Sequence, residues 1–354
     1  MKFLSLNNPS NKVSFHDALF QGIALDGGLF VPEKLPLLSK NFCAQLKNQS
    51  LFEIGTQIMQ LFLDEIPLDQ LQDIIRKTFH FPIPLVDLQA NLFLLELFHG
   101  PTLAFKDMGA RFMAEIVSYF LEKERKEITI LVATSGDTGS AVAHGFYNIP
   151  RVRVYILYPS EKMSYLQEQQ MTTLGGNIFP IEIKGTFDDC QQLVKKTLTD
   201  SSLKSRYNIT TANSINIARL LPQMIYYVWG VAELQKKGIS IQPAIVVPSG
   251  NFGNLTGAAY AKAIGAPIGS LVAATNSNNI IPNYLKTGTF EPRSAIHTLS
   301  NAMDVGNPSN FSRLQALYDY DFKKISHAIS GISISDDQTI AQIQKTYSET
   351  GYRI

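Results

Sequence analysis

From residue 85 onward the chain alternates short apolar runs with helical patterns, and that alternation restricts the fold more than any other feature. The runs are NLFLLELF at 91–98, ITILVAT at 128–134, RVYILY at 153–158, NIFPIEI at 177–183, PAIVVP at 243–248 and SLVAAT at 270–275. Helical patterns fill the gaps, among them Gly139–Tyr147, Phe187–Thr199 and Ile215–Lys237. Apolar strands separated by helices predict an α/β fold with mainly parallel sheets covered on both faces. In such sheets ligands bind beyond the carboxyl ends of the strands, so the loops after these runs carry the functional argument.

Residues 1–80 read differently. A Gly27-Gly28 turn leads into a short strand, and LFEIGTQIMQLFL and PLDQLQDIIRKTF then give two amphipathic helices. This predicts a small helical domain, closed by Pro82-Ile83-Pro84, since proline disfavours helix at itself and at the residue before it.

At 354 residues the chain is expected to hold two or three packed units. A net charge of +1, with Lys and Arg scattered, gives no field for nucleic acid or an anionic membrane surface. MKFLSLNNPS lacks a signal-peptide core, and no run of about 18 apolar residues suggests a membrane span. Cys43 and Cys190 form no CxxC pair and read as buried apolar residues in a reducing, cytoplasmic compartment. Six histidines without ligand spacing predict no metal site.

Three strand-to-helix loops and one lysine carry chemistry. Lys106 falls where the apolar run ending at His99-Gly100-Pro101 gives way to a helix that opens near Asp107 and keeps Phe112, Ile116 and Phe120 on one face. A cation there faces the positive end of the helix dipole beside apolar Leu103 and Phe105, which disfavours its charged form. A neutral amine is what Schiff-base chemistry needs; a surface lysine paired with Asp107 is the plain alternative. Ser135-Gly136-Asp137-Thr138-Gly139 after ITILVAT exposes backbone N–H groups to a carboxylate or phosphate. Its single DTG lacks the second aspartate of an aspartic protease, and GxGxxG is missing; an N-capped helix without ligand stays open. Ser249-Gly250-Asn251-Phe252-Gly253-Asn254 after PAIVVP is a phosphate cradle in chemistry or a plain tight turn. In TTANSINIARLLPQ, Ser214 is expected to cap a helix carrying Arg219, and Asn213, Ser214 and Arg219 together suit a dianionic phosphate; a solvated face for Arg219 is the alternative.

Taken together, ELFHGPTLAFKDMGARFMA, ATSGDTGSAVAHGF, LYPSEKMSYLQEQQMTTLGGNI, TANSINIARLLPQ, VPSGNFGNLTG, AATNSNNIIP and TLSNAMDVGNPSNF resemble, in order, the threonine synthases of the pyridoxal-phosphate fold-type II superfamily. The form resembled is the bacterial one with an N-terminal extension. The resemblance implies a tryptophan synthase β-like fold of two three-layer α/β subdomains, with 1–80 as an N-terminal domain and 81–354 as the catalytic region. Within the latter, about 125–212 would form a smaller, mobile subdomain. It implies Lys106 as the Schiff-base lysine of pyridoxal 5'-phosphate and Gly250, Asn251, Phe252, Gly253 and Asn254 as the cofactor-phosphate loop. Ser135, Gly136 and Thr138 would bind the substrate α-carboxylate, and Thr134, Asn213, Ser214 and Arg219 its phosphate. Asp137 stands where relatives outside this branch often carry Asn near the cofactor's phenolic oxygen.

The implied reaction converts O-phosphohomoserine and water to threonine and phosphate, in a monomer or homodimer with no nucleic-acid or membrane partner. The family continues beyond Tyr352-Arg353 with a Pro-His-x-Ala-Val segment and a Thr-Ala-His-Pro-x-Lys-Phe segment that reach the cofactor ring and substrate phosphate. Apolar surface of the larger subdomain is therefore expected to be exposed or covered by a partner. Another fold-type II phospholyase or dehydratase, or a cofactor-binding protein without turnover, are the competing expectations.

Overall fold

The computed structural model describes residues 1–353, the Ser205 side chain excepted. Beside its expected helices, the N-terminal part holds a three-stranded antiparallel sheet, order β2-β1-β3. Its strands are β1 (Phe3–Ser5), β2 (Lys12–Val13) and β3 (Phe30–Pro32). They are too short to show alternation in the sequence. Helices α1 (Phe15–Gln21), α2 (Lys40–Ala44), α3 (Leu51–Gln60) and α4 (Leu68–Thr78) complete this part. A capping box starts α3: Glu53 N–H donates to Ser50 Oγ, and Ser50 N–H donates to the Glu53 carboxylate at 2.7 Å. The apolar stripe of α3 (Ile54, Ile58, Met59) buries against that of α4 (Leu71, Ile74, Ile75).

The apolar run at 91–98 was expected to be a buried strand, and the structure corrects this. Strands β4 (Leu85–Gln89) and β5 (Leu92–Leu95) form a two-stranded antiparallel hairpin, and Leu92 is 46% exposed. These side chains are apolar because they line a cavity, not because a sheet covers them. Helix α5 (Lys106–Glu124) follows and is buried on most of its circumference, through Met108, Phe112, Met113, Ile116 and Val117.

Next comes a four-stranded parallel sheet, order β8-β7-β6-β9. It comprises β6 (Ile128–Ala133), β7 (Val152–Pro159), β8 (Ile178–Ile183) and β9 (Ile209–Thr211). Its helices are α6 (Asp137–Phe146), α7 (Tyr165–Thr172), α8 (Phe187–Thr199) and α9 (Ser201–Arg206). The predicted long helix over 215–237 is broken by Pro222 into α10 (Ile217–Leu220), a 3₁₀ turn and α11 (Met224–Lys236).

A second parallel sheet, order β10-β11-β12, uses β10 (Ile245–Pro248), β11 (Leu271–Thr275) and β12 (Ile329–Ser333). Around it lie α12 (Gly253–Ala263), α13 (Ile280–Thr287), α14 (Phe311–Leu317), α15 (Phe322–Ala328) and α16 (Asp336–Thr350). One continuous apolar cluster joins the parts, from Ile58 through Met113, Val132 and Ile225 to Leu255. Each large side chain so buried contributes about 1.5–3 kcal/mol. Among the described residues no helix is long and apolar enough to cross a membrane, and no group of three or more His, Cys, Asp or Glu could hold a metal ion.

Candidate active site

The carboxyl ends of β6, β9 and β10 open onto one cavity of about 790 Å3. Lys106, Ser135, Asp137, Thr138, Asn213, Ser214, Arg219 and the whole Gly250–Asn254 turn line its polar side. The β4–β5 hairpin and β10 form an apolar side, with Val246 57% exposed. Of the residues expected at the site, Thr134 and Gly136 alone do not line it.

Lys106 is the first residue of α5, and the preceding turn is built to place it. Asp107, 1% exposed, accepts from Thr102 N–H at 2.9 Å and from the Thr102 hydroxyl at 2.6 Å, which closes the turn. Asp107 is therefore not the partner of Lys106. Lys106 Nζ instead meets Asp137 Oδ1 at 2.5 Å, across to the first turn of α6. The local sequence suggested a lone, desolvated lysine; the structure holds an ion pair between residues 31 positions apart.

The loop before α6 needs glycine at 136, where φ is +149° and a Cβ would lie 2.5 Å from Gln167 Oε1. Thr134 was expected to reach substrate phosphate, and here the structure differs. It is fully buried, and its hydroxyl oxygen accepts from Gly136 N–H at 3.0 Å and Gly139 N–H at 2.8 Å while donating to Gly136 O. Thr134 shapes the loop from within. Gly136 has no side chain to cap α6, and with Gly139 N–H taken by Thr134 the N–H groups of Asp137 and Thr138 remain available to an anion beside Ser135.

Asn213 ties β6 to β9. Its Oδ1 accepts from Ala133 N–H at 3.0 Å and its Nδ2 donates to Ala133 O at 2.6 Å. The expected cap of the next helix, Ser214, is displaced by Asn216, whose side chain accepts from Ala218 N–H at 3.1 Å. Ser214 is thereby free of the helix and borders the cavity. Arg219 is not on a solvated face: it is 3% exposed. Its Nη1 donates to Ala212 O, Nε has no partner, and no carboxylate pairs with it among the described residues. Burial lowers its pKa to about 10, against the opposing pull of Tyr226, Asp137 and Asp107. A buried cation without a counter-ion is costly and calls for an anionic ligand.

At the fourth loop, Phe252 adopts φ +62° and starts α12 with no side-chain cap. A Cβ on Gly250 would lie 2.7 Å from Met303 Cα, so only glycine lets the 250 turn approach that backbone. The Asn251 amide is held at both ends: Oδ1 accepts from Ser309 N–H at 2.6 Å and Nδ2 donates to Ser214 Oγ at 2.8 Å. Asn254 Oδ1 accepts from Tyr227 OH at 2.5 Å. This turn offers an anion backbone N–H at a helix start.

Four residues were missed in the sequence. Gln223 lines the cavity at 5% exposure with Oε1 unpartnered, and Ser309, Asn310 and Arg313 brace the Asn251 and Ser214 side. Gln223, Ser309 and Asn310 lie within stretches that carry the resemblance, TANSINIARLLPQ and TLSNAMDVGNPSNF, but nothing local marks them, and GNPSNFSR reads equally well as a loop.

Two family profiles match the chain: "Threonine synthase N terminus" over residues 2–79 and "Pyridoxal-phosphate dependent enzyme" over residues 73–354. Threonine synthase of Escherichia coli K12 is 43% identical over 353 residues, 99% of this chain and 81% of that one. That of Haemophilus influenzae is 44% identical over 340 residues, 96% of this chain and 79% of that one. The crystal structure of E. coli threonine synthase superposes with a TM-score of 0.93 at 41% identity, covering 100% of this chain and 82% of that one. PLP-bound threonine synthase from Brucella melitensis gives 0.89 at 34%, again over 100% and 82%. Maize serine racemase, at 16% identity and a TM-score of 0.58, shares the fold alone. With matches over both its N-terminal and catalytic regions, the chain belongs to the threonine synthase family of pyridoxal-phosphate-dependent, fold-type II enzymes.

Proposed function

We propose that the chain converts O-phospho-L-homoserine and water to L-threonine and inorganic phosphate at the cavity that holds Lys106. One observation supports this reading: the cavity offers an anion two separate places, each of which we assign to a phosphate. The uncapped start of α12 is one, and buried, unpaired Arg219 is the other. A dehydratase substrate would leave the second without a ligand.

The residues fit pyridoxal 5'-phosphate. Gly250–Asn254 would hold its phosphate on backbone N–H groups, Lys106 its aldehyde carbon, and Asp137 would stand beside Lys106 Nζ. When bound, the cofactor supplies an electron sink for negative charge at the substrate Cα. Lys106 Nζ is the group available to move protons to and from Cα and its neighbours. Ser135, Thr138 and the open N–H groups of α6 would hold the α-carboxylate. Arg219 and the Ser214 hydroxyl would hold the phosphate on Cγ and stabilise it as it leaves as a dianion. The step balances: the Cα–H, Cβ–H and Cγ–O bonds break, the hydroxyl of water joins Cβ, and the protons released from Cα, Cβ and water go one each to Cα, Cγ and the departing phosphate.

This reading takes 1–80 and 81–354 as the two functional units, with about 125–212 closing over the cavity to exclude water until the addition step. Unchanged hydrogen exchange over 125–212 on adding a substrate analogue would refute that closure. Two free thiols are in keeping with a cytoplasmic enzyme, which we take to be a monomer or homodimer. The test of function is release of threonine and phosphate from O-phosphohomoserine by cofactor-loaded protein. Equimolar release, abolished in Lys106→Ala, is expected. Phosphate without threonine would indicate a different phospholyase, and turnover by Lys106→Ala would overturn the assignment.

A further inference from the structure

Arg313 is completely buried and has no carboxylate partner among the described residues, yet all its N–H groups are used. Nε and Nη2 donate to Phe30 O at 3.1 and 2.9 Å, and Nη2 also donates to Ile215 O at 2.7 Å. Nη1 donates to Ser214 O at 3.1 Å and to Asn310 Oδ1 at 2.7 Å. A planar fork spread over carbonyls from three segments holds the 214–215 backbone against the N-terminal sheet.

The consequence lies in the orientation of two amides. Asn310 must turn its oxygen to Arg313, because the reverse orientation would face N–H against N–H at 2.7 Å. Its Nδ2 is then directed at Ser214 Oγ, 3.0 Å away. Asn251 is fixed in the same way: Ser309 N–H at 2.6 Å demands an oxygen, so Asn251 Nδ2 also points at Ser214 Oγ, at 2.8 Å. Ser214 Oγ thus receives two N–H donors, both lone pairs are engaged, and its proton must point elsewhere. Ser214 borders the cavity that holds Arg219.

We propose that Arg313 and Asn310 are positioning residues that lock the Ser214 hydroxyl as a hydrogen-bond donor toward the cavity, and so build a phosphate site from a residue that could otherwise serve either role. The inference rests on the reading above that Ser214 meets the substrate phosphate. A hydroxyl held as donor meets an anion without reorganising, whereas one used as donor within the protein would present lone pairs to it and repel it.

The test is a double-mutant cycle on the cofactor-loaded protein. Binding of inorganic phosphate is measured by calorimetry, together with KM and kcat for O-phosphohomoserine. In Asn310→Asp the carboxylate still accepts from Arg313, and now as an ion pair, but it cannot donate to Ser214, whose proton is drawn toward it. Thermal stability should be kept, while phosphate Kd and KM rise by about tenfold or more, the scale of one hydrogen bond to a charged group. Ser214→Ala should give a similar loss, and the double variant should be no worse than Ser214→Ala alone. Additive losses would show that the new charge acts directly on phosphate and would overturn the proposal, as would unchanged binding in Asn310→Asp. If Ser214→Ala binds phosphate normally, the phosphate-site reading itself fails, and this inference with it. Should Asn310→Asp not fold, Arg313→Lys carries the same cycle. It keeps the charge but lacks the fork, and the same non-additive loss with Ser214→Ala is expected.

Discussion

Gly109 lies on the face of α5 that meets Arg219, and replacing it with alanine separates stability from function. A Cβ there would sit 3.0 Å from Arg219 O and 3.3 Å from Arg219 Nε. Arg219 cannot easily retreat, because its carbonyl accepts from Gln223 Nε2 at 2.9 Å and its guanidinium is tied to Ala212 O. Overpacking of this kind costs about 1–3 kcal/mol, and exchanging glycine for alanine inside a helix returns about 1 kcal/mol. Net destabilisation should thus fall between about zero and 2 kcal/mol. The displacement acts on the guanidinium proposed to meet the phosphate, where one charged hydrogen bond is worth about 1.5–3 kcal/mol. The kcat/KM for O-phosphohomoserine should therefore fall by about 10- to 100-fold. Denaturant unfolding and steady-state kinetics on the same preparation decide the matter. A kcat/KM within about twofold of the parent would refute the claim that α5 sets the position of Arg219.

Three further outcomes are expected. Asp137→Asn removes the carboxylate that meets Lys106 Nζ at 2.5 Å; cofactor absorbance should persist while kcat drops at least about tenfold, and an unchanged kcat would contradict the pairing's importance. Phe252→Gly relieves a positive φ but empties a buried aromatic position packed edge-on against Phe311; loss of about 2–4 kcal/mol in apoprotein denaturation is expected, and a gain would mean that backbone strain dominates. Glu96 has its carboxyl pKa held below the ordinary 4.5, first by the Tyr352 hydroxyl and then by His99, against a burial effect in the other direction. A carboxyl lowered on folding adds stability above its unfolded value and loses it as pH falls through its folded value. Between about pH 6 and about pH 3 the parent should therefore lose more stability than Glu96→Gln, and parallel melting curves would count against it.

What could be read in the sequence follows from burial. Strands covered on both faces, such as β6 and β7, stand out as continuous apolar runs, and α8 shows its ends through a helical pattern and a Thr186 cap. Strand β9 is three residues of ITT, and β12 is an edge strand with a glycine, so neither rises above its surroundings. The hairpin strand β5 has the composition of a core strand and the position of a cavity wall, a distinction composition does not carry. At the site, the loops were legible because glycine, serine and asparagine report backbone geometry locally. The partners were not: Lys106 with Asp137, Asn213 with β6, and Arg313 with Phe30, Ser214 and Ile215 are non-local contacts. Ser214 and Asn216 are both good caps two positions apart, and only the fold decides that Asn216 caps while Ser214 faces the cavity.

The central claim is that Lys106 carries the cofactor in the cavity shared with Arg219. Its most direct test is borohydride reduction of the cofactor-loaded protein followed by peptide mass mapping. The account predicts a single phosphopyridoxyl adduct on the peptide containing Lys106, lost in Lys106→Ala with the fold retained. An adduct confined to another lysine, or undiminished labelling of the Lys106→Ala protein, would contradict it.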